Sequence, residues 1–321
     1  MTSQSLTISK NESSMLSLLR VLAMGSIVVC HILQTLDNNW AWVFNVGVQV
    51  FLVLSGYLYG HKVIDKWIPW FISRLKKLYI PYIIFVLFFL VLYLITGLQE
   101  VNIKSAIVYV FGLQGIIGGG IKVFGHLWFM TAIAMCYMIT PILQKVSSRS
   151  TLCTVGLLVL CVIEYYVLPI RLNIFSWLFL YSVGYFLPRM SQKMKVLMMS
   201  SVTIMLLFAV TGISWADIRN GAINSTIMHN CIGILSVCLF SIIGKKVRFG
   251  VGCKLLSFLD ALSYFVFIVH VPFVRPPHEI LHVTAIAPVN ILLVMVLIFI
   301  SAVLLEQVTK KLTSKITSFV Q

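Results

Sequence analysis

The chain has 321 residues, of which 60% are hydrophobic and only 10% are charged. Its mean hydropathy of +1.01 excludes a soluble globular domain, in which about a quarter of the residues carry a charge. The net charge of +15 is distributed as a membrane-topology signal, which argues against nucleic-acid binding. The composition therefore indicates a protein that crosses a lipid bilayer several times.

At about 20 residues per span, the apolar segments predict an all-α membrane protein, a bundle of about ten transmembrane helices. The predicted spans are 16–36, 41–60, 79–98, 125–146, 150–170, 172–189, 196–214, 225–243, 255–273 and 288–308. We divide the chain into an N-terminal segment (1–15), a membrane domain (16–308) and a C-terminal tail (309–321). Eighteen of the 24 Lys and Arg residues then lie on one side and five on the other. The positive-inside rule places both termini in the cytoplasm.

The first span carries Arg20 and His31, eleven positions apart. On a helix this spacing brings the two side chains to within about 20° in azimuth and about 16 Å along the axis, so they share a face. Ionisable groups inside a span usually mark a pathway or a site. His31 can serve as a general base and Arg20 as an anion ligand nearer the cytoplasm. The alternative is that Arg20 snorkels to the inner surface and His31 bonds a neighbouring helix.

The second span carries Gln49 before the run Phe51–Tyr57, which contains Ser55 and Gly56. Small residues allow two helices to approach closely. This pattern favours a packing role, with Gln49 or Ser55 lining a cavity as the alternative.

Arg74 and Lys77 lie three positions apart just before the third span, so they share a helical face. A basic face can bind the phosphates of a soluble cofactor, and it can equally bind lipid headgroups. The following segment, Asn102–Phe124, is partly apolar but rich in glycine, which weakens a helix. We expect a short interfacial or re-entrant element there.

His126 and Trp128 open the fourth span, and His270 lies near the end of the ninth. In the predicted topology His31, His126 and His270 fall in the outer third of the membrane, so the three imidazoles can converge. The alternative for each is an interfacial anchor. No local spacing imposes a metal site.

Two acidic residues lie within predicted spans, Glu164 in the fifth and Asp260 in the ninth. We expect both to form structural pairs. The seven cysteines contain no C-x-x-C pair and are expected to be small core residues.

Five motifs occur in the order found in acyltransferase family 3, the integral-membrane O-acyltransferases that modify bacterial surface polysaccharides. They are Arg20 and His31 in the first span, Phe51–Tyr57 in the second, Arg74, Lys77 and Pro81 before the third, His126 to Phe129 with Pro141 in the fourth, and Ser263, Tyr264 and His270 in the ninth. The chain resembles this family over nearly its whole length.

The resemblance implies an enzyme of the bacterial cytoplasmic (inner) membrane that takes an acetyl group from cytoplasmic acetyl-CoA. The acceptor would be a hydroxyl of a surface glycan, such as an O-antigen, a capsule or a lipid-linked saccharide. His31 and Arg20 would be the catalytic pair, and Arg74 and Lys77 would lie near the cofactor phosphates. The residues expected to line the substrate cavity are Gln49, Ser55, His126, Trp128 and His270. No metal and no permanently bound cofactor are expected.

Two departures from the family pattern affect these expectations. Many relatives carry Asp or Glu three residues before the motif arginine, where this chain has Ser17. Some relatives also have a C-terminal extracytoplasmic hydrolase-like domain, and this chain is expected to be too short to include one. We therefore expect transfer to be completed in the membrane domain or by a separate partner. From composition alone, a transporter or flippase is the competing function, and an acyl group other than acetyl is also compatible with the sequence.

Overall fold

The computed structural model of the chain describes residues 6–167, 173–211, 213–216, 223–246 and 253–320. Ten helices of thirteen or more residues occur within these ranges. They are α1 (Lys10–Thr35), α2 (Gly47–Gly60), α3 (Trp67–Thr96), α4 (Trp128–Lys145), α5 (Ser150–Tyr166), α6 (Ile174–Phe186), α7 (Gln192–Val210), α8 (Ile223–Lys246), α9 (Cys253–Val269) and α10 (Ala287–Val320). Each predicted span corresponds to one of them, so the predicted all-α membrane fold is confirmed.

Eight stretches of the described residues are long and apolar enough to cross a membrane. The helices α6 and α9, with 13 and 17 residues, are not among these stretches. The number of ten spans and the cytoplasmic position of the termini therefore stay predictions. Three of the basic residues on which the topology rests, Arg171, Arg219 and Arg248, lie outside the described residues.

Four helices, α1, α3, α8 and α10, are longer than their predicted spans, and α3 and α10 exceed them most. The helix α3 begins at Trp67 instead of residue 79, with Pro69 in its first turn, where proline is tolerated. The helix α10 continues to Val320 instead of ending at 308, and Lys310 pairs with Glu306 at 2.8 Å one turn earlier. Hydropathy marks where the apolar stretch ends, whereas backbone hydrogen bonding continues through the adjoining polar residues.

The chain divides into two compact units. The first consists of Met1–Cys30, Asn39–Trp67 and Met135–Asp260, and the second of His31–Asn38, Ile68–Ala134 and Ala261–Gln321.

In the first unit α2 and α6 approach each other through glycines. A Cβ atom added to Gly56 would lie 2.0 Å from the carbonyl oxygen of Tyr181, and one added to Gly184 would lie 2.0 Å from that of Val53. The backbones therefore meet where a larger side chain has no room. This confirms the close approach predicted from Ser55 and Gly56.

Glu164 near the end of α5 holds the start of α6. Its carboxylate accepts hydrogen bonds from the backbone N–H groups of Ile174 (2.8 Å) and Phe175 (2.9 Å). Helix N-termini leave such donors unsatisfied and favour a negative charge. The structural role expected for Glu164 is thereby confirmed.

In the second unit the glycine-rich segment between α3 and α4 forms two short helices, Ile103–Val110 and Gln114–Ile117, and a 3₁₀ turn, Lys122–Leu127. Gln114 is buried, and its Nε2 donates to the carbonyl oxygen of Leu127 at 2.6 Å. This bond fixes the turn that carries His126. The expected short element between the third and fourth spans is present.

Candidate active site

Three histidines, His31, His126 and His270, lie close together in the second unit. The hydrogen bond of His126 to the backbone depends on a proline at the end of α9. The helix α9 ends at Val269, and a separate turn, Val271–Val274, follows His270. Pro272 has no N–H, so it cannot donate to the carbonyl oxygen of Ile268 as the next helical turn would. That carbonyl instead accepts a hydrogen bond from Nε2 of His126, at 3.0 Å.

His270 bonds to its own helix. Its Nδ1 donates to the carbonyl oxygen of Phe267 at 2.7 Å and lies 3.2 Å from that of Val266. A neutral imidazole carries one proton, so a donating Nδ1 leaves Nε2 as an acceptor. By the same argument the donating Nε2 of His126 leaves its Nδ1 as an acceptor.

These two acceptor nitrogens are buried. His126 is 5% exposed and His270 is fully buried. Among the described residues, no group makes a hydrogen bond to Nδ1 of His126 or to Nε2 of His270. Their ring centroids lie 4.9 Å apart in an edge-to-face arrangement. A buried acceptor without a partner costs free energy, so this pair of nitrogens is suited to a ligand that donates hydrogen bonds.

His31 joins the same cluster from the last two turns of α1. Its ring centroid lies 5.2 Å from that of His270. The hydrogen bonds described for His31 engage Nδ1, which lies 3.1 Å from Oε1 of Gln34 and 3.0 Å from Nη2 of Arg275. Arg275 also donates to Oε1 of Gln34.

The structure thus brings together three of the residues singled out from the sequence, His31, His126 and His270, and adds two that sequence reasoning missed. Gln34 could have been found, because it follows His31 by three positions and so shares its helical face. Arg275 is one of the five basic residues that the predicted topology places on the outer side. Nothing in the local sequence pairs it with residue 31.

Gln34 and Arg275 favour opposite tautomers of His31. The amide oxygen of Gln34 can only accept, so a hydrogen bond with it puts the proton on Nδ1 and leaves Nε2 with a lone pair. The guanidinium of Arg275 can only donate, so a hydrogen bond with it puts the proton on Nε2. His31 can therefore present either a base or a donor at Nε2.

Arg20 belongs to the first unit, where Asp260 and Ser17 accompany it. Arg20 Nη1 donates to Oδ1 of Asp260, and the Ser17 hydroxyl donates to Oδ2 of the same carboxylate at 2.7 Å. The side chains of Arg20 and Asp260 are 27% and 16% exposed. The pairing expected for Asp260 is confirmed, and Asp260 supplies the negative charge that Arg20 does not find at position 17.

Gln49 and Ser55 also lie in the first unit, on α2, and both are half-buried. The amide nitrogen of Gln49, in the orientation that satisfies its surroundings, donates to the carbonyl oxygens of Asn45 and Val46 at 3.2 Å. A Cβ atom on Gly233 of α8 would lie 2.7 Å from Cβ of Gln49. These contacts describe helix packing, and cavity lining by Gln49 or Ser55 stays a prediction.

The basic pair and the tryptophan lie in the second unit. Arg74 is half-buried and Lys77 exposed, one turn apart on α3. Trp128 is half-buried at the start of α4, in edge-to-face contact with Phe129. Binding of phosphates by the basic pair and of substrate by Trp128 stay predictions.

In the part of the chain that the structure describes, no group of three or more His, Cys, Asp or Glu side chains is arranged to hold a metal ion.

Comparison with known proteins identifies a family. Residues 15–307 match the model of a family described as an acyltransferase domain. No curated protein and no solved structure matches the chain significantly.

Proposed function

We infer the function from one premise: the chain belongs to acyltransferase family 3, whose domain spans residues 15–307. It is a membrane acyltransferase. The family favours an enzyme over the transporter or flippase that composition alone allows. We propose that the donor is cytoplasmic acetyl-CoA and the acceptor a hydroxyl of a bacterial surface glycan, and that the enzyme works in the bacterial inner membrane.

The observation that carries this proposal is the pair of buried acceptor nitrogens beside His31. A sugar presents several hydroxyl groups, each of which can donate a hydrogen bond. Two hydroxyls bound to Nδ1 of His126 and Nε2 of His270 would satisfy both buried nitrogens. A neighbouring hydroxyl is then presented to His31, whose ring lies 5.2 Å from that of His270.

We assign the general base to Nε2 of His31. In the tautomer held by Gln34, Nε2 carries the lone pair and takes the proton of the acceptor hydroxyl. The hydroxyl oxygen attacks the thioester carbonyl carbon, so a C–O bond forms and the C–S bond breaks. CoA leaves as a thiolate and receives the proton from His31. Atoms and charge balance without a further reactant.

Gln34 and Arg275 are positioning residues in this scheme. Gln34 orients the imidazole through Nδ1, and Arg275 fixes Gln34 by donating to its amide oxygen. Arg20 is the proposed anion ligand. Asp260 occupies its Nη1, and the guanidinium has four further N–H donors.

The test compares the surface glycans of cells that lack the gene with those of cells that carry it. Mass spectrometry should find glycan species that differ by one acetyl group and that disappear with the gene. A copy encoding His31→Ala is the matched control and should not restore them. Loss of the whole glycan from the surface would support a flippase instead, and unchanged glycan masses would refute acetyl transfer to this acceptor class.

A further inference from the structure

A cavity in the first unit lies outside the histidine site and has its own chemistry. It has a volume of about 170 Å³ and lies where α7 begins and α8 ends. Its polar lining consists of Tyr57, Gln192, Lys195, Ser241, Lys245 and Lys246. The predicted topology places these helix ends on the cytoplasmic side.

The cavity has an excess of positive charge. The carboxylate of the buried residue Glu12 contacts this lining. It lies 3.8 Å from Nζ of Lys245 and accepts a hydrogen bond from the hydroxyl of Tyr57. The described residues that line or contact the cavity thus include three lysines and one carboxylate.

The helix dipole explains the positions of two of the three lysines but not that of the third. Lys245 and Lys246 lie in the last turn of α8, where cations stabilise the negative end of the helix dipole. Lys195 is half-buried in the first turn of α7, at the positive end of that helix. A cation there is electrostatically unfavourable, and an anion beside it reverses the effect.

We propose that this cavity binds a phosphate group. Lysine ammonium groups bind phosphates as point charges, and the start of α7 adds partial positive charge. At about 30 Å³ per water, the cavity holds roughly six water molecules, which suits one phosphate group. Two sources share this chemistry, a phosphate of CoA and the headgroup of an anionic phospholipid.

The experiment measures binding to the full chain in nanodiscs made of zwitterionic phosphatidylcholine. One arm titrates CoA by calorimetry, and the other measures retention of added phosphatidylglycerol by native mass spectrometry. The variants are Lys195→Gln and Lys245→Gln. The matched control is Lys193→Gln, since Lys193 is exposed in the same turn of α7 and does not line the cavity.

Removing one charged contact should weaken binding of one probe about tenfold, while Lys193→Gln leaves it unchanged. A loss confined to CoA identifies the cosubstrate as the source, and a loss confined to phosphatidylglycerol identifies a lipid. If Lys195→Gln does not fold, Lys246→Gln at the exposed end of α8 serves in its place. Wild-type affinity for both probes in the folded variants, or an equal loss in Lys193→Gln, would overturn the proposal.

This inference does not depend on catalysis. Free CoA and phosphatidylglycerol are bound without acyl transfer, so an inactive histidine site leaves both measurements interpretable. Conversely, acetyl transfer without phosphate binding at Lys195 would leave the proposed function intact and refute phosphate binding by this cavity alone.

Discussion

Arg20 of α1 and Asp260 of α9 form an ion pair, in which Nη1 of the arginine donates to Oδ1 of the carboxylate. The residues are 240 positions apart in the sequence. The family resemblance leads us to expect an acidic residue three positions before this arginine, where this chain has Ser17. Ser17 instead donates its hydroxyl to Asp260. The negative charge that pairs with Arg20 thus comes from another helix, and position 17 contacts the same carboxylate.

This relationship predicts a rescue. Asp260→Asn should lower stability by about 1–3 kcal/mol, because it leaves a partly buried guanidinium without its charged partner, and it should lower acyl transfer with it. Adding Ser17→Asp should restore much of both, since residues three apart share a helical face. Thermal unfolding and transfer rates of the single and double variants measure this effect. If Ser17→Asn restores stability and transfer in the Asp260→Asn protein as well as Ser17→Asp does, the added negative charge is not the cause of the rescue.

Arg20→Lys should strongly impair transfer although it keeps the positive charge. Lysine lacks the planar fork of N–H donors that lets arginine bind a carboxylate on one edge and a second anion on another. Rates in membranes that contain equal amounts of protein provide the comparison. Full activity of the lysine variant would reduce Arg20 to a point charge or a topology signal.

Gln34→Leu should lower kcat about two- to tenfold, the equivalent of one net hydrogen bond, with little change in the KM for acetyl-CoA. The reason is that Nδ1 of His31 loses the acceptor that selects the basic tautomer. Gln34→Glu keeps an oxygen for both His31 and Arg275 and should retain activity. If Gln34→Leu and Gln34→Glu have the same kcat, Gln34 does not position His31.

The double variant Arg74→Ala, Lys77→Ala should raise the KM for acetyl-CoA more than the KM for the acceptor. Loss of two charged contacts should weaken cofactor binding by about tenfold or more, and added salt should diminish the difference from wild type. Lys76→Ala is the matched control, because Lys76 lies between them and is exposed. Orientation is checked by cysteine accessibility. An unchanged KM with correct topology would reassign the pair to lipid headgroups.

Gly184→Ala should destabilise the first unit by about 1–3 kcal/mol, the usual cost of overpacking, because its Cβ would lie 2.0 Å from the carbonyl oxygen of Val53. Gly25→Ala is the control. A Cβ atom there meets nothing within 4 Å in the middle of α1, so the change should stabilise by about 0.5–1 kcal/mol. Denaturation in detergent measures both, and equal stability of the two variants would contradict the close approach of α2 and α6.

The sequence predicted the helices well because hydropathy and span length are local properties, as the match of α1 to α10 with the ten apolar segments shows. It also suggested that His31, His126 and His270 converge, since topology fixes depth in the membrane. The hydrogen bonds that build the site were not predictable in this way. The pairing of His126 with the Ile268 carbonyl depends on the helix break at Pro272, and that of His31 with Arg275 joins residues 244 positions apart.

The role of His31 as general base is tested most directly by the acyl-transfer rate of His31→Ala, measured with purified protein in vesicles, acetyl-CoA labelled in its acetyl group, and isolated surface glycan. Loss of a general base lowers a rate by about 10²- to 10⁴-fold. His282→Ala, which changes an exposed histidine in the same unit, is the control and should keep the wild-type rate. We predict a loss within that range for His31→Ala in a protein that inserts and binds acetyl-CoA normally. A near-normal rate in that variant would contradict the assignment of His31 as the base.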